Sequence, residues 1–179
     1  MTHIRRFSFY LLGSLASLLV LGCSSDAAPG DVQPGDPGFV RSAALDVQNI
    51  SQHGIALSHN VGQNCMHCHQ AHGPGKGRFT IAGTLRNPDG TPHANGTVYL
   101  TRTDPTSIES GAVIEAVATI AADELGNFYS TEKLPLPEEA LHVIVERRDG
   151  GGRNFMPFPT ISAACNVCHV GSNPAAVKD

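Results

Sequence analysis

Two five-residue segments, one hundred residues apart, carry the same pattern of two cysteines and a histidine. They read CMHCH at residues 65–69 and CNVCH at residues 165–169. On one turn of helix, positions i, i+3 and i+4 share a face, so the two thiols and the last imidazole of each segment point the same way. The C-x-x-C-H spacing is the attachment signature of covalent c-type haem. The sequence therefore predicts two covalent haems.

This pattern assigns a role to six side chains. The thioether bonds to haem are predicted at Cys65, Cys68, Cys165 and Cys168, and the proximal iron ligands at His69 and His169. Two cysteine pairs also suit a four-cysteine zinc site, and one pair suits a redox dithiol, but neither explains a histidine after each pair. Of the five cysteines, the assignment leaves only Cys23, and therefore no pair for a structural disulfide.

The distal iron ligands are sought among the other histidines and methionines. The stretch from His59 to His69 resembles exported multihaem cytochromes, in which a histidine shortly before C-x-x-C-H often binds an iron, and this implies His59 as a distal ligand. His53 is a second candidate, because two histidines flanking a short apolar stretch can serve two haems. Met156 is a third candidate, and a methionine ligand would raise the potential of the second haem.

The first 22 residues have the features of an export signal. Arg5 and Arg6 precede an apolar run that is short for a membrane span. The run ends in VLGC, which resembles a bacterial lipobox, so Cys23 is expected to carry a lipid anchor, and Ser24 implies sorting to the outer membrane. Signal removal takes away two arginines and no acid, changing the net charge from −4 to −6, so nucleic acid is not an expected partner.

The chain between the motifs has the pattern of β-strands. Apolar and polar residues alternate over residues 79–86, and β-rich runs follow at 97–103, 113–121, 128–133 and 141–147. The fold expected is mainly β, a β-sandwich of about five to seven strands flanked by two short helical or loop segments that bind haem. The expected order is signal peptide 1–22, flexible tether 23–40, first haem-binding segment 41–77, sandwich 78–150 and second haem-binding segment 151–179.

The strand region also resembles a known family. The stretches IAGTL (81–85), DGTP (89–92), GTVYL (96–100) and DELGNF (123–128) resemble the carboxypeptidase-regulatory-like (transthyretin-like) β-sandwich. The resemblance covers residues 79–147 and implies a scaffold rather than a catalyst.

As a whole, the chain resembles exported dihaem c-type cytochrome lipoproteins. The resemblance implies an electron carrier rather than an enzyme, in a bacterial respiratory or extracellular electron-transfer chain. Its expected partners are redox proteins, the membrane that holds its lipid, and other copies of itself. Two other interpretations stay open: a haem enzyme, such as a peroxidase, or a gas sensor with one five-coordinate iron, and a sandwich that docks a partner with the haems as a relay. The sequence does not predict whether the two haems lie close together.

Overall fold

Residues 32–169 and 175–177, which the computed structural model describes, form a mainly β chain with two sheets. The predicted signal peptide, Cys23 and the first part of the predicted tether lie outside these residues. No helix in the described part of the chain is long and apolar enough to cross a membrane.

The described residues form seven short strands. They are β1 (Ile81–Arg86), β2 (Thr97–Thr101), β3 (Ala118–Ala121), β4 (Asn127–Ser130), β5 (His142–Glu146), β6 (Arg153–Phe155) and β7 (Ala175–Ala176). One sheet has the order β4-β1-β7 and the other β3-β2-β5-β6. Only β7 and β1 run parallel within these pairings, and the other neighbours are antiparallel. The predicted mainly β class is therefore confirmed.

Each of the five predicted runs overlaps a shorter strand, and β4 begins one residue before the run predicted at 128–133. The run predicted over residues 113–121 becomes regular only at β3. Before it, the hydroxyl of Thr101 donates to the carbonyl of Glu115 at 2.8 Å, so a side chain takes the place of a backbone partner there. The sheets also extend past residue 150, the predicted end of the sandwich, because β6 and β7 join them.

A single hydrophobic cluster joins the two sheets. The first sheet contributes Ile81, Leu85 and Phe128, and the second contributes Val98, Leu100, Val143 and Val145. Leu85 is fully buried, and Ile81 is 1% exposed. β1 lies between β4 and β7 in the smaller sheet, and both C-x-x-C-H motifs contact this strand.

Candidate functional site

Both motifs fold as a single helical turn. The first begins at Asn64, whose side-chain oxygen accepts the N–H of Met66 at 3.2 Å, and forms a 3₁₀ turn over Cys65–His67. The second is a short α-helix, α1 (Cys165–Cys168). In each, the backbone N–H of the motif histidine donates to the carbonyl of the first cysteine at 3.0 Å. The helical turn predicted from the spacing is therefore present at both motifs.

His69 has the environment of a metal-ligating imidazole. Its Nδ1 lies 2.8 Å from the carbonyl oxygen of Lys76, and because a carbonyl only accepts, Nδ1 carries the proton. The lone pair of the neutral ring is then on Nε2, the atom left for a metal. Burial disfavours the charged imidazolium and lowers the pKa of His69. The hydrogen bond to Lys76 opposes this shift, so burial is the effect that favours the neutral ring, with its lone pair on Nε2.

Packing holds the His69 ring in one orientation. The ring stacks on Phe79 with centroids 4.0 Å apart and planes 4° apart, and Phe79 stacks in turn on Tyr129. The loop after the motif closes against the same imidazole: a Cβ at Gly75 would lie 2.7 Å from the ring atoms. Only glycine allows the loop to come this close, so the glycine-rich exit from the motif has a packing role.

His59 lies opposite His69 in one pocket. The two ring centroids are 6.1 Å apart and the planes are tilted by 35°. Two imidazoles on opposite sides of one metal, each with a metal–nitrogen distance of about 2 Å, place their centroids roughly 6 Å apart. Cys65 and Cys68 line the same pocket, whose volume is about 280 Å³. The four side chains predicted for the first haem are therefore together, at a spacing that fits one iron between two histidines.

The walls of this pocket are largely apolar. Phe79 and Tyr129 form part of the wall, together with Ile50, Ile55 and Leu57. Leu57 is 82% exposed and Ile55 is 38% exposed, so apolar surface remains open to solvent beside the two histidines. A flat apolar group in the pocket would cover this surface, which is what a haem ring offers.

The two cysteines of the first motif differ in environment. Cys65 is a free thiol whose pKa is raised by burial. Cys68 is only 9% exposed and lines the same pocket.

His53 lies elsewhere. Its Nε2 is 3.0 Å from the carbonyl oxygen of Gly96, and it is not among the residues that line the pocket of His59 and His69. The structure therefore does not bring His53 to the first motif.

The second motif borders a smaller cavity of about 80 Å³, situated where the two sheets meet. Cys165, His169 and Met156 all line it, with core residues such as Leu85 and Phe128. Met156, a candidate distal ligand of the second haem, thus lines the same cavity as the second motif. Burial raises the pKa of the Cys165 thiol to about 12, whereas Cys168 is exposed.

Backbone pairing fixes the second motif beside β1. Just before the motif, Ala164 forms a bridge to Ala82, and after it β7 pairs with the end of β1. The motif therefore lies next to the middle of β1, where Gly83 leaves room for it. A Cβ at Gly83 would be 2.8 Å from the Cβ of Cys165.

A side-chain contact then joins the second motif to the first. The Oδ1 atom of Asn166 accepts the backbone N–H of Thr84 at 3.0 Å. Its Nδ2 donates to the Thr84 hydroxyl at 3.0 Å and to the carbonyl of Gln63 at 2.8 Å. The Thr84 hydroxyl also accepts the N–H of Gly62 at 2.9 Å. Residues just before the first motif are thus hydrogen-bonded to the second motif through β1.

Asn127 on β4 completes this network. Its Oδ1 accepts the Thr84 hydroxyl at 2.6 Å, and its Nδ2 donates to the hydroxyl of Ser58 and to the carbonyl of His59. We call Thr84, Asn127 and Asn166 the polar node; each is at most 3% exposed. The node holds both motifs and the His59 segment against the smaller sheet. Sequence reasoning missed all three residues, since a polar residue within a strand or between motif cysteines gives no signal of this role.

No group of three or more His, Cys, Asp or Glu side chains is placed to hold a metal ion within residues 32–169 and 175–177. A haem iron already has its porphyrin nitrogens and takes only axial ligands from the protein. No protein-family profile, curated protein or solved structure matches this chain.

Proposed function

We propose that this chain is a dihaem c-type cytochrome that transfers single electrons in a bacterial respiratory or extracellular electron-transfer chain. The observation that carries the proposal is the pair of imidazoles, His59 and His69, with centroids 6.1 Å apart in a pocket that Cys65 and Cys68 also line. Haem, bound through these cysteines, supplies an iron that gains and loses one electron.

The residues around the first site favour electron transfer over catalysis. The hydrogen bond to Lys76 and the stacking on Phe79 hold the His69 ring, so the proximal ligand need not move when the charge of the iron changes. If His59 were the second ligand, the protein would supply both axial ligands of this haem. A haem held in this way would have no open position for a small substrate, but it could still exchange electrons.

The second site is proposed to use a different ligand pair. His169 would be the proximal ligand, and Met156, which lines the same cavity, is the candidate for the second ligand. Histidine with methionine gives a higher potential than two histidines, so the two haems are expected to differ in potential.

One observation favours the second candidate function, a haem enzyme or gas sensor. Among the described residues that line the second cavity, His169 is the only histidine. If Met156 does not coordinate, the second iron has an open position for a peroxide or a small gas.

Spectra of the purified holoprotein test these proposals. A pyridine haemochrome assay should give two haems per chain, and a Cys65→Ala/Cys68→Ala control should give one. Absorption and EPR spectra of an electron carrier should show two low-spin haems that do not respond to carbon monoxide. A high-spin signal with carbon monoxide binding would support the enzyme or sensor instead, and fewer than two haems in the wild type would contradict the dihaem assignment.

The two sheets and their shared core support a β-sandwich flanked by two haem-binding segments. We further propose that the protein is exported and held at the outer membrane by a lipid on Cys23, where it meets redox partners. Labelled palmitate should be incorporated into the wild type and not into Cys23→Ser. Labelling that persists in this variant would contradict the anchor.

A further inference from the structure

The two residues between the cysteines of the second motif, Asn166 and Val167, have different environments. The two residues between the cysteines of C-x-x-C-H take no part in haem attachment, yet in the second motif they differ sharply in burial. Asn166 is 3% exposed, whereas Val167 beside it is 56% exposed. A buried amide must find hydrogen-bond partners, and Asn166 finds them on β1 and in the first motif's segment.

We propose that Asn166 is a positioning residue that docks the second haem-binding turn against the first, so that the two haems form one electronically coupled pair. The coupling rests on the proposed function, because it requires haem at both motifs.

The contacts join the two turns near their first cysteines. Gln63, which accepts from Asn166 at 2.8 Å, is two residues before Cys65, and Asn166 directly follows Cys165. Since the first cysteine of each motif is a proposed haem-attachment point, this contact between the two turns would place the two haems close together.

The hydrogen bonding leaves Asn166 little freedom to move. Its amide oxygen has one donor partner, and its nitrogen uses both hydrogens, one toward Thr84 and one toward Gln63. Two residues 103 positions apart in the sequence are thus held together by a buried amide whose two N–H hydrogens are both hydrogen-bonded. The backbone pairings at Ala164 and β7 hold the second turn to β1, but among these contacts only Asn166 reaches the first segment.

Circular dichroism in the Soret band tests the coupling. Two haems close together give a two-signed signal that neither gives alone. The wild-type spectrum should therefore differ from the sum of the spectra of two single-haem proteins, Cys65→Ala/Cys68→Ala and Cys165→Ala/Cys168→Ala. Asn166→Ala should retain two haems and lose most of the two-signed signal, and Val167→Ala, the neighbouring control, should keep it.

Hydrogen exchange on the same proteins tests the docking separately. Loss of the buried amide should speed exchange of backbone N–H groups at residues 60–64 by about tenfold, and Val167→Ala should leave it unchanged. A wild-type spectrum equal to the sum of the single-haem spectra would overturn the coupled pair. Unchanged exchange at residues 60–64 in Asn166→Ala would overturn the docking role. Fewer than two haems in the wild type would instead be a failure of the proposed function, and the exchange measurement would still decide the docking.

Discussion

Replacing Thr84 by valine removes the centre of the polar node while preserving the shape of the side chain. The Thr84 hydroxyl donates to Asn127 and accepts from Gly62 and Asn166, at distances of 2.6 to 3.0 Å. Thr84 is 1% exposed, so water cannot replace the lost partner without rearrangement. The substitution therefore tests whether this hydroxyl holds the two motifs on β1.

The structure gives the size of the expected effect. After the substitution, the amide nitrogen of Asn166 still donates to Gln63, but the side-chain oxygen of Asn127 and the N–H of Gly62 lose the partners seen here. An unsatisfied buried polar group costs about 1–3 kcal/mol. Asn127 is 1% exposed, whereas Gly62 is only partly buried. The substitution should therefore lower the free energy of unfolding by about 1–4 kcal/mol. A typical domain has a stability of about 5–15 kcal/mol, so this is a large loss.

Urea unfolding measures this change through the midpoint and the m-value. Thr84→Ser keeps the hydroxyl and should lose only about 1 kcal/mol for the missing methyl. Thr119→Val, at an exposed position of β3, should change stability by less than about 0.5 kcal/mol. The reasoning is refuted if Thr84→Val is no more destabilising than Thr119→Val.

Three further substitutions test the first site and the loop that surrounds it. His59→Ala should make the first haem high-spin and able to bind carbon monoxide, while His53→Ala should leave the spectra unchanged; a low-spin His59→Ala protein would contradict the ligand assignment. Gly75→Ala places a Cβ 2.7 Å from the proximal imidazole, so the pyridine haemochrome assay should show less haem at the first motif, and full haem content would count against this packing. Hydrogen bonds from Arg78 and a second arginine lower the pKa of Asp46 from 3.8 to about 2. The contribution of the ionised Asp46 carboxylate to stability is therefore present above pH 3.8 and is lost as the pH falls toward 2. The stability difference between the wild type and Asp46→Asn, followed by circular dichroism, should narrow between these two pH values, and a constant difference would show that the ion pair is not its source.

Local features of the structure were predictable from the sequence. The spacing of C-x-x-C-H sets a helical turn, and both motifs form one. Alternation over residues 79–86 correctly marks β1 as a strand, but the half-buried strand that this pattern predicts is wrong, since the five residues from Ile81 to Leu85 are all buried. By contrast, β6 and β7 have three and two residues, too few to show a period, and their pairing partners decide that they are strands.

The arrangement of the site was only partly predictable. His59 is close to His69 in sequence, so a candidate could be named from local spacing. The hydrogen bonds of the polar node join residues that are 43, 82 and 103 positions apart, the last of these being the bond from Asn166 to Gln63. Asn166 occupies a position where the motif accepts other residues, so nothing in the pattern distinguishes it. The two motifs lie close together because both pack beside β1. Their positions along this strand depend on the packing of the whole sheet, which local sequence patterns do not show.

The second motif interrupts the chain that borders β1, since the bridge at Ala164 precedes it and β7 follows it. Synthesis from the N-terminus delivers β1 long before residues 164–176, so this edge stays open to pairing with other extended chains in the meantime. The residues that finally close the edge also carry the cysteines of the second motif. Protection from aggregation and the proposed attachment of the second haem would therefore depend on the same late step in folding.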